Sequence, residues 1–155
     1  DTLLQEYSGE EIEVTLAHEL GHHLHHDIPK FIALWTATSL LAFYLANLAL
    51  RAGMVLFSLK GITDAAGLPW LILVFAMLIL ILQPALNWYS RGTEIRADKA
   101  ALELSNNPQA FIALMTKLTD QNLTEAEPSR WAKLLFYDHP TYNERVNLAC
   151  SYQEK

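Results

Sequence analysis

The sequence predicts a mainly α-helical chain, with a membrane-crossing helical hairpin at its centre and shorter helices on either side. Three observations carry this reading. Two runs, Phe31–Leu50 and Leu68–Tyr89, contain no charged residue, and each is close to the ~20 residues a helix needs to span a bilayer. Helix-capping signals stand on both sides of those runs. No sustained alternation of polar and apolar residues marks a strand. The chain begins at Asp1 rather than Met and reads as a fragment of a larger protein, which leaves room for strands elsewhere in it.

Composition narrows the class further. Of 155 residues, 52% are hydrophobic and the formal charge is −6. The first figure is high for a small soluble domain, and the second gives no support for nucleic-acid binding. The single cysteine, Cys150, excludes an internal disulfide framework and a cysteine-based zinc site. It reads as a small, partly buried residue near a helix end.

The elements follow in order. Ser8 and Glu11 have capping-box spacing and open a helix expected over 9–28, with Pro29 ending it. Ile12, Leu16, Leu20 and Leu24 recur every four residues and form the stripe expected to be buried. His18, His22, His25 and His26 fall on a different face. The hairpin arms are expected over 31–50 and 68–89. Trp70 near one end of the second arm, and Trp88 with Tyr89 near the other, suit membrane interfaces. The alternative is a pair of buried helices in a soluble core. Residues 90–155 then supply a helix over about 92–104 and a second opened by Asn107-Pro108, with Phe111, Leu114, Met115 and Leu118 as its apolar face. A polar loop follows over 121–129, and Thr141 with Glu144 caps a last helix toward Cys150.

An antiparallel hairpin returns the chain to the side it left. Lys30, Arg91, Arg96 and Lys99 lie toward that side, against Arg51 and Lys60 on the other. The positive-inside tendency therefore puts the histidine-rich helix in the cytoplasm, at a bacterial inner membrane or an ER-type membrane.

The chemistry is concentrated in His18-Glu19-Leu20-Gly21-His22, which reads H-E-x-x-H. Two histidines four apart lie one above the other on a helix, so both imidazoles reach one zinc ion. Glu19 is then close enough to take a proton from water at that ion. A catalytic zinc needs a third protein ligand. The continuation used by metzincins would place a histidine at position 28, which is Ile28. His25 and His26 lie about two turns from His18, too far for a tight triad. A carboxylate from another helix is the better choice, and Glu94 and Asp98, four apart after the hairpin, share one face. Glu94 can bind the metal while Asp98 accepts the outer N–H of a ligand histidine.

H-E-L-G-H at 18–22, the apolar hairpin, S-R-x-x-E-x-x-A-D at 90–98 and H-P-x-x-x-E-R at 139–145 form an ordered set. In it the chain resembles the integral-membrane zinc metallopeptidases of the CAAX prenyl endopeptidase family, whose relatives include the heat-shock membrane protease HtpX. The likeness runs from about Asp1 to Ala149. It implies a zincin-like (gluzincin) arrangement of catalytic helices flanking the hairpin. It also implies one zinc per chain on His18, His22 and Glu94, with Glu19 as general base and Asp98 supporting the site, and it places His139 and Arg145 along the active site. Physically, His139 can donate a hydrogen bond to a developing oxyanion, and Arg145 can pair with a buried carboxylate or with substrate. The bland alternative is a capping turn with an exposed histidine and a structural arginine. Where the family often has a second proline after H-P, Thr141 stands here.

The expected function is a zinc endopeptidase of the CAAX-type branch, acting on membrane-associated or prenylated proteins. Its partners are a peptide or protein substrate and the lipid bilayer. The alternatives are an HtpX-like quality-control protease of misfolded membrane proteins, a catalytically inactive membrane scaffold, and a metal-handling protein using the six histidines.

Overall fold

Local signals set most of the helix starts. The computed structural model describes residues 2–61, 63–123 and 125–153, and all regular structure there is helical. The elements are α1 (Thr2–Glu6), α2 (Gly9–Leu24), α3 (Asp27–Leu56), a 3-10 turn (Ala65–Gly67), α4 (Leu68–Ser105), α5 (Pro108–Gln121), α6 (Arg130–Phe136) and α7 (Tyr142–Gln153). They divide into two compact units, 1–28 with 86–155, and 29–85.

In the first unit, α2 starts on a complete capping box. The Ser8 side chain accepts from Glu11 N, and the Glu11 carboxylate accepts from Ser8 N at 2.7 Å, so two otherwise orphaned amides are satisfied. Asn107 caps α5, with Pro108 in its first turn. At the start of α7 the Glu144 carboxylate accepts from Thr141 N at 3.0 Å, and Thr141 Oγ1 accepts from Glu144 N at 3.4 Å. The core gathers Val14 and Ala17 of α2, Ala101 and Leu102 of α4, Phe111, Leu114 and Met115 of α5 and Ala149 of α7.

Several expectations are corrected here. The helix expected over 9–28 stops at Leu24. His26 takes a left-handed backbone, φ 52°, which breaks the ladder before Pro29 can. Pro29 instead sits in the first turn of α3, where its missing N–H costs nothing. The arms expected over 31–50 and 68–89 lie within longer helices, because Arg51 and Gly92 alone do not stop a helix that lacks a cap. The separate helix expected over 92–104 is the end of α4. The short helices α1 and α6 had no signal strong enough to mark them. Cys150 is exposed.

The buried face of α2 is also not the leucine stripe. Leu16, Leu20 and Leu24 are exposed, whereas Val14, Ala17 and Gly21 are covered. Small residues win because the backbones run close. A Cβ on Gly21 would lie 2.9 Å from Ala100 Cβ and 3.1 Å from Ala97 Cα. Helix α2 thus rests directly on the α4 segment that carries Glu94 and Asp98.

The second unit is built differently. Trp70 Nε1 donates to the Ala49 carbonyl at 2.7 Å. The indole lies against Gly53, where a Cβ would meet Trp70 Cδ1 at 2.5 Å. Asp64 caps the 3-10 turn through Ala66 N at 3.0 Å. Both long helices have the length and apolarity to cross a membrane, and only 6% of each apolar window is buried. Phe43, Leu48, Ile72, Ile79 and Ile81 face outward. Within this chain, these helices are not buried in a core.

Candidate metal and catalytic centre

Helix α2 presents His18 and His22 one turn apart, and α4 brings Glu94 against them. The two Nε2 atoms are 3.1 Å apart. Glu94 Oε2 lies 3.5 Å from His18 Nε2, and Oε1 lies 3.4 Å from His22 Nε2. Zinc bonds of about 2.0–2.2 Å in tetrahedral geometry put ligand atoms roughly 3.4 Å apart, so the donor set fits a zinc-sized ion. Among the described residues this is the one three-ligand group of its kind.

The electrostatics favour positive charge at the same point. Burial alone would lower the pKa of His18, but its close contacts with the Asp98 and Glu94 carboxylates and their negative charge outweigh it and raise it to about 9. Burial would raise Glu94, yet His18, His139 and Arg145 hold it below the ordinary carboxylate range. Burial would likewise raise Asp98, and its contact with His18 and its hydrogen bonds with Arg145 hold it low. A proton or a metal ion meets the same demand, and the two compete for the imidazole.

Around the three candidate ligands lie further charges. Asp98 is fully buried, with Oδ1 3.0 Å from His18 Nδ1. That approach is off the line of a good hydrogen bond, so it counts as an ion-pair contact. Arg145 grips Asp98 through both oxygens, Nε to Oδ2 at 2.7 Å and a terminal nitrogen to Oδ1 at 2.6 Å. Of the two partners expected for Arg145, a buried carboxylate is the one seen. His139 is half-exposed, with Nε2 3.7 Å from Glu94 Oε2. Its loop is anchored from α4: Asn87 donates to the Leu135 carbonyl at 2.9 Å, and Arg91 donates to the carbonyls of Lys133, at 3.1 Å, and Tyr137. These bonds satisfy carbonyls at the end of α6 that the helix leaves open.

A cavity of about 510 Å³ opens beside the ligands, lined by Glu19, His139, Val14, Leu114, Met115 and Leu118 among others. Every site residue marked in the sequence (His18, Glu19, His22, Glu94, Asp98, His139 and Arg145) therefore falls in one region of the first unit. Sequence reading missed Asp27, whose Oδ2 lies 3.1 Å from His22 Nδ1. A carboxylate five residues beyond a ligand histidine signals nothing on a continuous helix. Only the break at His26 folds it back.

Residues 1–152 match the family described as Peptidase family M48. The chain belongs to that family. It is 34% identical over 154 residues to a CAAX prenyl protease 1 homolog of Oryza sativa subsp. japonica, covering 95% of this chain and 35% of that protein. It is 31% identical over 153 residues to the uncharacterized metalloprotease YhfN of Bacillus subtilis, covering 96% and 36%. A Protease HtpX homolog of Streptococcus gordonii is 30% identical over 166 residues, covering 93% and 55%. The chain thus spans about a third to a half of the length of these relatives. The crystal structure of S. mikatae Ste24p superposes with a TM-score of 0.77 at 24% identity, over 96% of this chain and 37% of that one, which shows a shared fold. Membership of the M48 family implies a metal ion, and the three-ligand group supplies a place for it.

Proposed function

We propose that this chain carries the catalytic centre of a zinc endopeptidase that hydrolyses membrane-associated proteins. The observation that carries the reading is the convergence of His18, His22 and Glu94 within 3.1–3.5 Å, beside a cavity that Glu19 also lines. The two histidines and Glu94 would hold the ion. Zinc, when bound there, polarises the scissile carbonyl and acidifies water. Glu19 takes the proton of the attacking water as its oxygen bonds to the carbonyl carbon. It then hands that proton to the leaving amine as the C–N bond breaks. His139, at the same cavity, donates to the oxygen on which charge develops. Asp98 and Arg145 hold His18 in place from behind.

The substrate reading follows from the walls. Val14, Leu114, Met115 and Leu118 make the cavity suited to a large apolar side chain. The two long helices, apolar on their outer surfaces, cross the bilayer, with the centre on the cytoplasmic side. CAAX-type proteins and misfolded membrane proteins both offer such substrates, and the relatives include both a CAAX prenyl protease 1 homolog and a Protease HtpX homolog. A metal-handling role would call for several ligand groups, and the described residues hold one.

The test is cleavage of farnesylated and unfarnesylated CAAX peptides by the full-length protein in detergent. Glu19→Gln should keep its zinc and lose about 10²–10⁴-fold in turnover. Undiminished turnover in that variant would remove Glu19 from its role. Cleavage only of the farnesylated peptide would mark a prenyl-protein processing enzyme, and cleavage of both a broader membrane endopeptidase.

A further inference from the structure

The two ligand histidines are each backed by a carboxylate, and each carboxylate by an arginine. His18 has Asp98 and Arg145. His22 has Asp27 and Arg96: Asp27 Oδ2 is 3.1 Å from His22 Nδ1, Asp27 Oδ1 is 3.4 Å from an Arg96 terminal nitrogen, and that nitrogen donates to Thr93 Oγ1 at 3.1 Å. Asp27 is 2% exposed, so its carboxylate faces protein groups rather than water. The His22–Asp27 contact is also the better aligned of the two histidine–carboxylate contacts.

We propose that Asp27 is a positioning residue for the metal centre, fixing His22 from the first turn of α3 as Asp98 fixes His18 from α4. A neutral imidazole carries its proton on one nitrogen only. When Nδ1–H donates to Asp27, Nε2 is left with its lone pair directed at Glu94 and His18, the form that binds a metal. Without that acceptor the ring is free to rotate, or to carry the proton on Nε2, where it cannot ligate. The turn that makes this possible is the left-handed residue His26, which separates α2 from α3 and brings Asp27 back beside His22. Arg96 and Thr93 keep the carboxylate from turning away. The rival role for Asp27 is local: an acidic residue in a helix's first turn is stabilised by the helix dipole. That role would affect the folding of the protein and leave the metal affinity alone.

The inference rests on the metal-binding reading, and the experiment separates the two. Zinc affinity of the full-length protein in detergent is measured by competition with a chromophoric chelator. Wild type, Asp27→Asn, Asp27→Ala and Arg96→Ala are compared. The visible spectrum of each cobalt(II)-substituted form and the thermal unfolding of each metal-free form are recorded alongside. Asp27→Asn should weaken zinc about 10-fold and Asp27→Ala up to about 100-fold, with a changed cobalt spectrum and little change in metal-free unfolding. Arg96→Ala should follow in the same direction by a smaller factor. Unchanged affinity and spectrum in both Asp27 variants would overturn the inference while leaving the metal site standing. Metal-free forms that unfold earlier, with affinity intact, would overturn it in favour of the helix-dipole role. A wild-type protein that binds no zinc would overturn the metal reading itself, and this inference with it.

Discussion

Phe111 and Phe43, one in each unit, behave in opposite ways. Phe111 of the first unit is completely buried among Val14, Leu102, Leu114 and Met115, whereas Phe43 of the second is 66% exposed and meets Phe75 only edge-on, with ring centroids 6.2 Å apart. The first unit has a packed core around Phe111, although Leu16, Leu20, Leu24 and Phe136 lie at its surface, and two of its buried carboxylates, Asp27 and Asp98, face the candidate site. In the second, many apolar side chains point outward along two helical runs, 31–50 and 68–85, that carry no charge. Phe111 is covered by its own unit, whereas the outward apolar surface around Phe43 has the length and apolarity that suit hydrocarbon.

The comparison can be broken most forcefully by truncation. Phe111→Ala should cost about 3–5 kcal/mol, because a large cavity opens in a packed core. Phe43→Ala should cost less than about 1 kcal/mol, since few protein atoms lose a contact. Denaturation of the detergent-solubilised protein checks both, and equal losses would erase the distinction. An inserted charge sharpens it next. Ile79 is 60% exposed near the middle of the second apolar run. Ile79→Arg should cost about 3 kcal/mol of membrane insertion if that surface meets lipid. On a surface facing water the change would stay within roughly 0.5 kcal/mol. The fraction of protein inserted into microsomes reads the difference.

Acid gives the smallest effect, confined to the first unit. Burial raises the pKa of Glu11, but its hydrogen bonds with Lys117 and Ser8 outweigh this and hold it below the ordinary value of 4.5. Lys117 Nζ is 2.7 Å away. A pKa lowered by folding contributes stability that is full above the unfolded value and lost as pH falls through the folded one. Glu11→Gln should therefore cost about 1 kcal/mol at neutral pH, kept low by the partial exposure of Lys117. The penalty should vanish at strongly acidic pH, and a penalty that persists there would assign the loss to packing.

The sequence made some of this legible and hid the rest for physical reasons. Capping boxes at Ser8–Glu11 and Thr141–Glu144 and the Asn107-Pro108 start are local, so a few adjacent residues suffice to read them. The two apolar runs are legible because charge is absent over a bilayer's thickness. The buried face of α2 was not, since Leu16, Leu20 and Leu24 make the stronger stripe. Only the partner helix, with Ala97 and Ala100 meeting Gly21, decides that the small residues go inside. Among the site residues, spacing marked His18, Glu19 and His22 together, and helical periodicity paired Glu94 with Asp98. Asp27 was invisible because its place beside His22 depends on one left-handed residue. The anchoring of the His139 loop by Asn87 and Arg91 was equally hidden, since it joins side chains to carbonyls more than forty residues away.

The most direct test of the central claim is the zinc content of the purified full-length protein, wild type beside His22→Ala and Glu94→Ala. One zinc per chain in the wild type, lost in both variants while each remains folded, is the predicted result. Zinc retained in full by either variant, or several ions per wild-type chain, would contradict a single centre built from His18, His22 and Glu94.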